Sequence, residues 1–389
     1  MAPLTSHHLL PPFAEGIKTA PLVSVSLAKL ESGDKEASDA FFRACRELGF
    51  FYLDMLGSEL GEKIVSEAEQ LNAFQKEFFK MPYEVKDKYG RPHLDPFYAY
   101  RYNDLDVKDE NGVTVRAESY NVSSRSYWVR PGLPCDIQNH DPFLIEDLPA
   151  LRKDDIRGLC ERLACPPMIL ENQELFNNYV VHCRAAIDCL LEHLNTHLEL
   201  PAGTLANLHR INERSGDHVR LVQAPPSTFN EARAQRSITV LFNWLGGLQI
   251  RVPDTIEWVY VRPIPGSCVV NLGDAMVKFT AGLLRSNIHR VVPPVGEQAS
   301  EARNSLVFFS RPEDAVVLKR LKGGLIDAQP VEENGEAPMT AHEWIMAKGT
   351  GQLPGVYTKK GFEWRENDER LKNAPALLTG MPKVVASSA

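Results

Sequence analysis

Long apolar runs, surplus basic charge, paired cysteines and glycine-rich phosphate loops are all missing from this 389-residue chain. No apolar stretch approaches the roughly 20 residues that a membrane helix needs, so no membrane span is expected. Lysine and arginine number 43 against 51 aspartates and glutamates, a net charge of −8. A nucleic-acid binder would carry a basic patch or stripe, so no nucleic-acid partner is expected. The seven cysteines (Cys45, Cys135, Cys160, Cys165, Cys183, Cys189 and Cys268) are odd in number, and none forms a CxxC pair. That speaks against a disulfide framework or a structural zinc site and for reduced thiols. The opening MAPLTSHHLLPPFAEG has prolines inside its apolar part and no basic flank, so it does not read as a secretory signal. The closing Ala-Ser-Ser-Ala shows no lipidation or retention signal, and a cytoplasmic location is expected. Dinucleotide and phosphate-loop fingerprints are absent, as is any recognisable nucleophile–base arrangement.

What is present is an ordinary globular balance, 43% hydrophobic and 24% charged residues, with two kinds of periodicity. Residues 1–20 read as a flexible arm. PLVSVS (21–26) alternates like a strand. From about Asp34, Ala37, Phe41, Ala44 and Leu48 repeat at helical spacing. That helix stops at Gly49, and Phe50-Phe51-Tyr52-Leu53 reads as a buried strand. A second helix carries Leu60, Ile64, Ala68, Leu71, Phe74 and Phe78 on one face and ends at Met81-Pro82. Residues 90–150 read as irregular. A long helix is expected from about Glu171 to Leu200, ended by Pro201. From His218 to Ser310, seven short β-rich runs alternate with turn signals: HVRLVQAP, SITVLFNW, LQIRV, IEWVYVRP, SCVVNL, NIHRVVPP and NSLVFFS. Such spacing indicates a β-sandwich or barrel. A last helix is expected around TAHEWIMAK.

The run GGLQIRVPDTIEWVYVRPIPGSCVVNLGDAMVKFTAGLLRSNIHRVVPP, followed by RNSLVFFSRP, resembles the core of the plant and fungal 2-oxoglutarate/Fe(II) dioxygenases, the family that includes isopenicillin N synthase. PLVSVS, ACRELGFFYLDM and EFFKMPYEVKDKYG are similar to its helical N-terminal region, and TAHEWIMAK to its C-terminal helix. The resemblance spans roughly residues 20–350. It implies a mainly β fold with flanking α: a double-stranded β-helix, or jelly roll, with an α-rich N-terminal region. The organisation expected is an arm (1–20), an N-terminal helical region (21–150), a helix plus the β-helix core (151–315), and a C-terminal helix and tail (316–389). The resemblance also implies Fe(II) and 2-oxoglutarate as cofactors. The iron would be held by two histidines and one carboxylate, with three positions left open.

Matched position by position, the site is incomplete. His289, in SNIHRVV, falls on the second iron-binding histidine. Arg303 and Ser305 fall on the Arg-x-Ser pair, whose guanidinium fork and hydroxyl would hold the distal carboxylate of 2-oxoglutarate. The first histidine and the aspartate, expected as HxD before SITVLF, are Ala232-Arg233-Ala234. Alanine has no donor atom, so iron binding by this chain is expected to be weak or absent. Halogenating relatives replace only the carboxylate, so halogenation is not supported either. Ala224 stands where a tyrosine often precedes Pro-Pro, and Arg236 where glycine is common. Glu231 and His218 are the nearest replacement donors. Strand alternation turns Glu231 away from the direction of Ala232, and His218 lies six residues before Ala224. Phe97, Tyr98, Tyr100, Tyr127 and Trp128 line a cavity or simply pack over the barrel.

Three functions stay open. One is a catalytically silent subunit that pairs with an active oxygenase paralogue of natural-product biosynthesis. Another is an active oxygenase that hydroxylates or desaturates a small-molecule substrate, with its ligands mutated or replaced. The third is a redox-neutral isomerase or cyclase using Arg233, Arg236, Glu231 and His289 as pocket groups.

Overall fold

A computed structural model describes residues 6–89, 99–102, 117–123, 166–226, 238–253, 255, 257–330 and 338–349. Among them run eleven strands: β1 (Ser24–Ser26), β2 (Phe50–Asp54), β3 (Ala99–Tyr102), β4 (Glu118–Ser123), β5 (His218–Ala224), β6 (Ile238–Asn243), β7 (Leu248–Arg251), β8 (Trp258–Tyr260), β9 (Ser267–Leu272), β10 (His289–Val291) and β11 (Arg303–Ser310). They form an eight-stranded sheet in the order β1-β2-β9-β6-β11-β5-β4-β3 and a three-stranded sheet, β10-β7-β8. The two sheets make the expected jelly roll. All seven β-rich runs of the 218–310 region are strands.

Strand parity assigns the two faces of the large sheet. Phe51 and Leu53 of β2, Val270 of β9, Val240 of β6 and Phe308 of β11 point outward into one core with the helices. Their alternates Phe50, Tyr52 and Val269 point inward and meet Leu248, Ile250, Val259 and Val291 of the small sheet in a second core. Each fully buried side chain of this size is worth about 1.5–3 kcal/mol, so register is strongly fixed; a one-residue slip would exchange the two cores.

Helix Glu59–Lys80 packs on the outer face of β5 and β11, and helix Gln173–His197 on that of β11. Asp34 caps the Lys35–Glu47 helix by accepting from Ala37 N–H at 2.8 Å, a device worth about 1 kcal/mol. Gly49 ends that region at φ +66°, and a Cβ there would meet the Arg285 carbonyl oxygen at 2.0 Å. The last helix, Ala341–Gly349, begins with a reciprocal cap. The Thr340 hydroxyl accepts from Glu343 N–H at 3.2 Å, and the Glu343 carboxylate accepts from Thr340 N–H at 2.8 Å. Among the described residues no helix is long and apolar enough to cross a membrane. Cys45, Cys183, Cys189 and Cys268 are free thiols.

The region expected to be irregular holds β3 and β4, which extend the large sheet beyond β5. The signal was hidden because their buried positions include polar residues. Asn121 is only 2% exposed and accepts from Arg220 Nε at 2.7 Å. Glu118 accepts from the buried Lys86 ammonium and from the Tyr100 hydroxyl. The long helix begins at Gln173, after a separate short helix Pro167–Glu171, two residues later than expected. Residues 11–20, placed in the arm by the sequence, make defined contacts. Thr19 bridges to Tyr260, Lys18 pairs with Glu257 at 2.6 Å, and Arg262 lies over the Phe13 ring at 4.9 Å.

Candidate ligand site in the barrel

The inner wall of the large sheet follows from register. Arg303 on β11 faces Ala224 on β5, and Ser305 lies between Val222 of β5 and Asn243 of β6. The same parity carries Val307 and Phe309 inward. It also turns Arg220 of β5 inward, where its guanidinium carbon lies 5.4 Å from the Phe309 ring centroid. The wall is apolar in the middle and polar at both ends, with Thr239 and Asn271 opposite Phe309 and Phe50.

Arg303 dominates this wall. It is 4% exposed. Its Nε donates to the Gly246 carbonyl at 2.7 Å and its Nη1 to the Ser305 hydroxyl at 2.5 Å. Nη2 is buried and makes no hydrogen bond. No carboxylate among the described residues bonds to this guanidinium, and burial pulls its pKa down to about 10. A desolvated cation with an unmade charged hydrogen bond is costly; a bound anion would relieve it, and the planar fork suits a carboxylate. The residues present therefore fit the distal carboxylate of 2-oxoglutarate. Ala224, 4% exposed, places only a methyl group opposite Arg303. Gly247 is required behind it: at φ +98°, a Cβ would fall 2.3 Å from the Val292 carbonyl oxygen and 3.2 Å from Arg303 Nε.

His289 opens β10 and pairs with Ile250, which turns its side chain into the barrel. Its ring meets Phe50 edge-on at 5.2 Å. Nδ1 lies 3.2 Å from the Asn287 carbonyl. A carbonyl only accepts, so Nδ1 carries a proton, as in the tautomer in which Nε2 is the metal-binding nitrogen. The rest of an iron site does not follow. Glu231, Ala232, Arg233, Ala234 and Arg236 lie outside the described residues. Two of them are alanines, which have no lone pair to give wherever they sit. Among the described residues no three His, Cys, Asp or Glu side chains are placed to hold a metal. Among the described residues the donor set for iron is incomplete.

His218 is buried at the far end of β5, opposite Phe309, with Nδ1 2.9 Å from the Gly216 carbonyl. The cross-strand row from His218 runs through Phe309, Thr239 and Asn271 to Phe50. His218 is thus four strand spacings from the residue that His289 touches. Tyr100 is 3% exposed on the helix side of the sheet and packs there instead of lining the cavity. Phe97, Tyr98, Tyr127 and Trp128 lie outside the described residues.

Two residues of the site escape a motif search. Arg220 shares parity with His218 and Ala224 in HVRLVQA, a signal that could have placed it inward. Gln298, 2% exposed, lies in a short turn with no periodicity; its amide accepts from Gly246 N–H at 2.9 Å.

Comparison with known proteins agrees with the fold. Residues 206–312 match the 2OG-Fe(II) oxygenase superfamily, and residues 20–133 match the N-terminal region of non-haem dioxygenases described from morphine synthesis. A 2-oxoglutarate-dependent dioxygenase of Aspergillus fumigatus is 27% identical over 363 residues, covering 86% of each chain. The 2-oxoglutarate-dependent dioxygenase iboH of Amanita muscaria is 30% identical over 173 residues, 42% of this chain and 84% of that one. The crystal structure of a 2OG-Fe(II) oxygenase family protein from Caulobacter crescentus superposes with a TM-score of 0.62 at 19% identity, covering 85% of this chain and 98% of that one.

Proposed function

The chain belongs to the 2OG-Fe(II) oxygenase superfamily, and from that premise we propose that it binds a carboxylate ligand but does not assemble the family's iron centre alone, serving as the auxiliary subunit of an active oxygenase. One observation carries the reading: the anion anchor and the metal donors have been separated. Arg303 is buried and aimed into the barrel, and among the described residues no carboxylate bonds to it and its Nη2 makes no hydrogen bond, while positions 232 and 234 are alanines.

The arithmetic favours a silent centre. Losing a group that merely orients a metal ligand typically costs 10–100-fold in affinity or activity; losing two of three ligands outright costs far more. What Arg303, Ser305 and the apolar wall retain is the capacity to bind and orient a dicarboxylate such as 2-oxoglutarate and to shield it from water. A barrel with these properties can lend a pocket or a surface to a relative that has the metal. The fungal relatives carry dioxygenase names, so the partner we infer is a tailoring oxygenase of secondary metabolism, acting on a small molecule.

A second reading has its own support. His289 keeps the ligand tautomer and faces into the barrel, so a donor from the partner or from an undescribed segment could complete an active site. Iron content and 2-oxoglutarate decarboxylation, measured on the chain alone and mixed with an active paralogue, separate the two. Stoichiometric iron and turnover by the chain alone would overturn the auxiliary reading; 2-oxoglutarate binding without iron, with the paralogue's turnover rising on mixing, supports it.

A further inference from the structure

Behind the Arg303 anchor lies a continuous run of hydrogen bonds that ends at the N-terminal arm. The Gly246 carbonyl accepts from Arg303 Nε at 2.7 Å. The same residue's N–H donates to Gln298 Oε1 at 2.9 Å. The other end of that amide, Nε2, donates to the Pro11 carbonyl at 2.8 Å. Two residues on, Phe13 covers Gly246 so closely that a Cβ there would meet its ring at 2.9 Å, and Arg262 clamps the outer face of that ring at 4.9 Å. Ala14 lies in the same way against Gly296, at the start of the turn that carries Gln298.

We propose that Gln298 is a positioning residue that couples docking of the N-terminal arm, through Pro11 and Phe13, to the aim of Arg303 and hence to its affinity for a carboxylate ligand. The inference rests on the reading of Arg303 as a carboxylate anchor. Its physical basis is the Gly246-Gly247 step. Gly246 has no side chain to fix it; Gln298 grips its N–H, on the peptide before it, and Arg303 its carbonyl, on the peptide after it. Gly247 in turn accepts from Val292 N–H at 2.8 Å, which ties the step to the strand carrying His289. With Phe13 lifted and Gln298 released from Pro11, the peptide can rotate, and the Gly246 oxygen no longer fixes the plane of the guanidinium. A planar fork bonds a carboxylate well only when its plane is fixed. The coupling must also run backwards, so that a carboxylate on Arg303 tightens the arm.

The test uses the full chain, with 2-oxoglutarate as probe and EDTA present. Gln298→Glu keeps the acceptor for Gly246 N–H but places an oxygen against the Pro11 carbonyl, and Phe13→Ala removes the covering ring. Both variants are checked for an unchanged fold by thermal melting. Expected results are a Kd for 2-oxoglutarate weakened about fivefold or more in each, the lower end of typical coupling. Faster amide exchange at Gly246–Leu248 is expected even without ligand. In the wild type, 2-oxoglutarate should slow exchange at Phe13–Gly16, and Arg303→Met should abolish that effect. Binding and exchange identical to wild type in both variants overturn the coupling, as does a lower melting temperature with Kd and exchange unmoved. Should the wild type bind no 2-oxoglutarate, the carboxylate reading falls, and the ligand-free exchange at Gly246–Leu248 still decides whether the arm controls the anchor's backbone.

Discussion

Arg303 donates its Nε to the backbone carbonyl of Gly246 at 2.7 Å, so the guanidinium is aimed by a peptide, and among the described residues no carboxylate bonds to it. This makes it unlike a structural ion pair. Arg303→Met should abolish 2-oxoglutarate binding while leaving stability about equal or higher, because an uncompensated buried charge is replaced by an apolar chain. Calorimetric titration and urea unfolding measure the two effects. A loss of more than about 2 kcal/mol of stability, the scale of breaking an established partnership, would show that the side chain is structural.

Gly247→Ala tests the same corner from the backbone. The residue sits at φ +98° with no room for a methyl group against the Val292 carbonyl. The expected cost exceeds the roughly 1 kcal/mol typical of compatible glycine changes, with the sign destabilising. Weaker binding at Arg303 should accompany it. Thermal melting reads the first effect and ligand titration the second.

The double substitution Ala232→His with Ala234→Asp should supply the two donors that the family's motif has in addition to His289. The expected result is one Fe(II) per chain that survives gel filtration, lost again when His289→Ala is added. Metal analysis decides it. Failure of the triple variant to lose the iron would mean that His289 is not the third ligand.

Two buried groups should tilt the pH dependence of stability in opposite directions. Burial raises the Asp217 carboxyl to about 6, so the folded state holds its proton where the unfolded state has lost it. Its contribution is full below about pH 4 and lost as pH rises through 6. Burial is also the main cause that lowers the His209 imidazole to about 4. The contribution of His209 is present above about pH 6.5 and lost as pH falls through 4. The two largely offset in the wild type between pH 4 and 6. Asp217→Asn should therefore leave stability rising with pH in that window, and His209→Leu should leave it falling. Each change amounts to roughly 3 kcal/mol across the window. Urea unfolding at pH 4, 5, 6 and 7 measures it, and equal slopes in the two variants would contradict the assignment.

Much of the fold was written in local patterns. Turn signals and β-rich runs located seven strands, and helical spacing located the Lys35–Glu47 and Glu59–Lys80 helices, because in each apolar residues recur at helical spacing along the buried face. β3 and β4 escaped because Glu118 is charged at a half-buried position and Asn121 is polar at a buried one. Their compensation comes from Lys86 and Arg220, 32 and 99 residues away in the chain, and no short window contains both partners. The site divides in the same way. Arg303 and Ser305 were marked by their resemblance to the family's Arg-x-Ser, and the two-residue spacing on β11 puts both on one face. The Gly246 carbonyl and the Gln298 amide were not, because a backbone oxygen has no sequence signature and Gln298 acts across 52 residues.

The pairing of β2 with β9 has a consequence for how this protein comes into being. Phe50 lies beside Asn271, and Asp54 beside Ser267, yet β1 and the first helices precede β2 in the chain. The β2 edge cannot be closed until more than half of the polypeptide has left the ribosome. A contact of such long range also carries a large loop-closure penalty, which slows folding. The row Phe50-Phe51-Tyr52-Leu53, apolar on both faces, is the segment that a chaperone would have to shield in the meantime, and the one through which a chain stalled before residue 267 would aggregate.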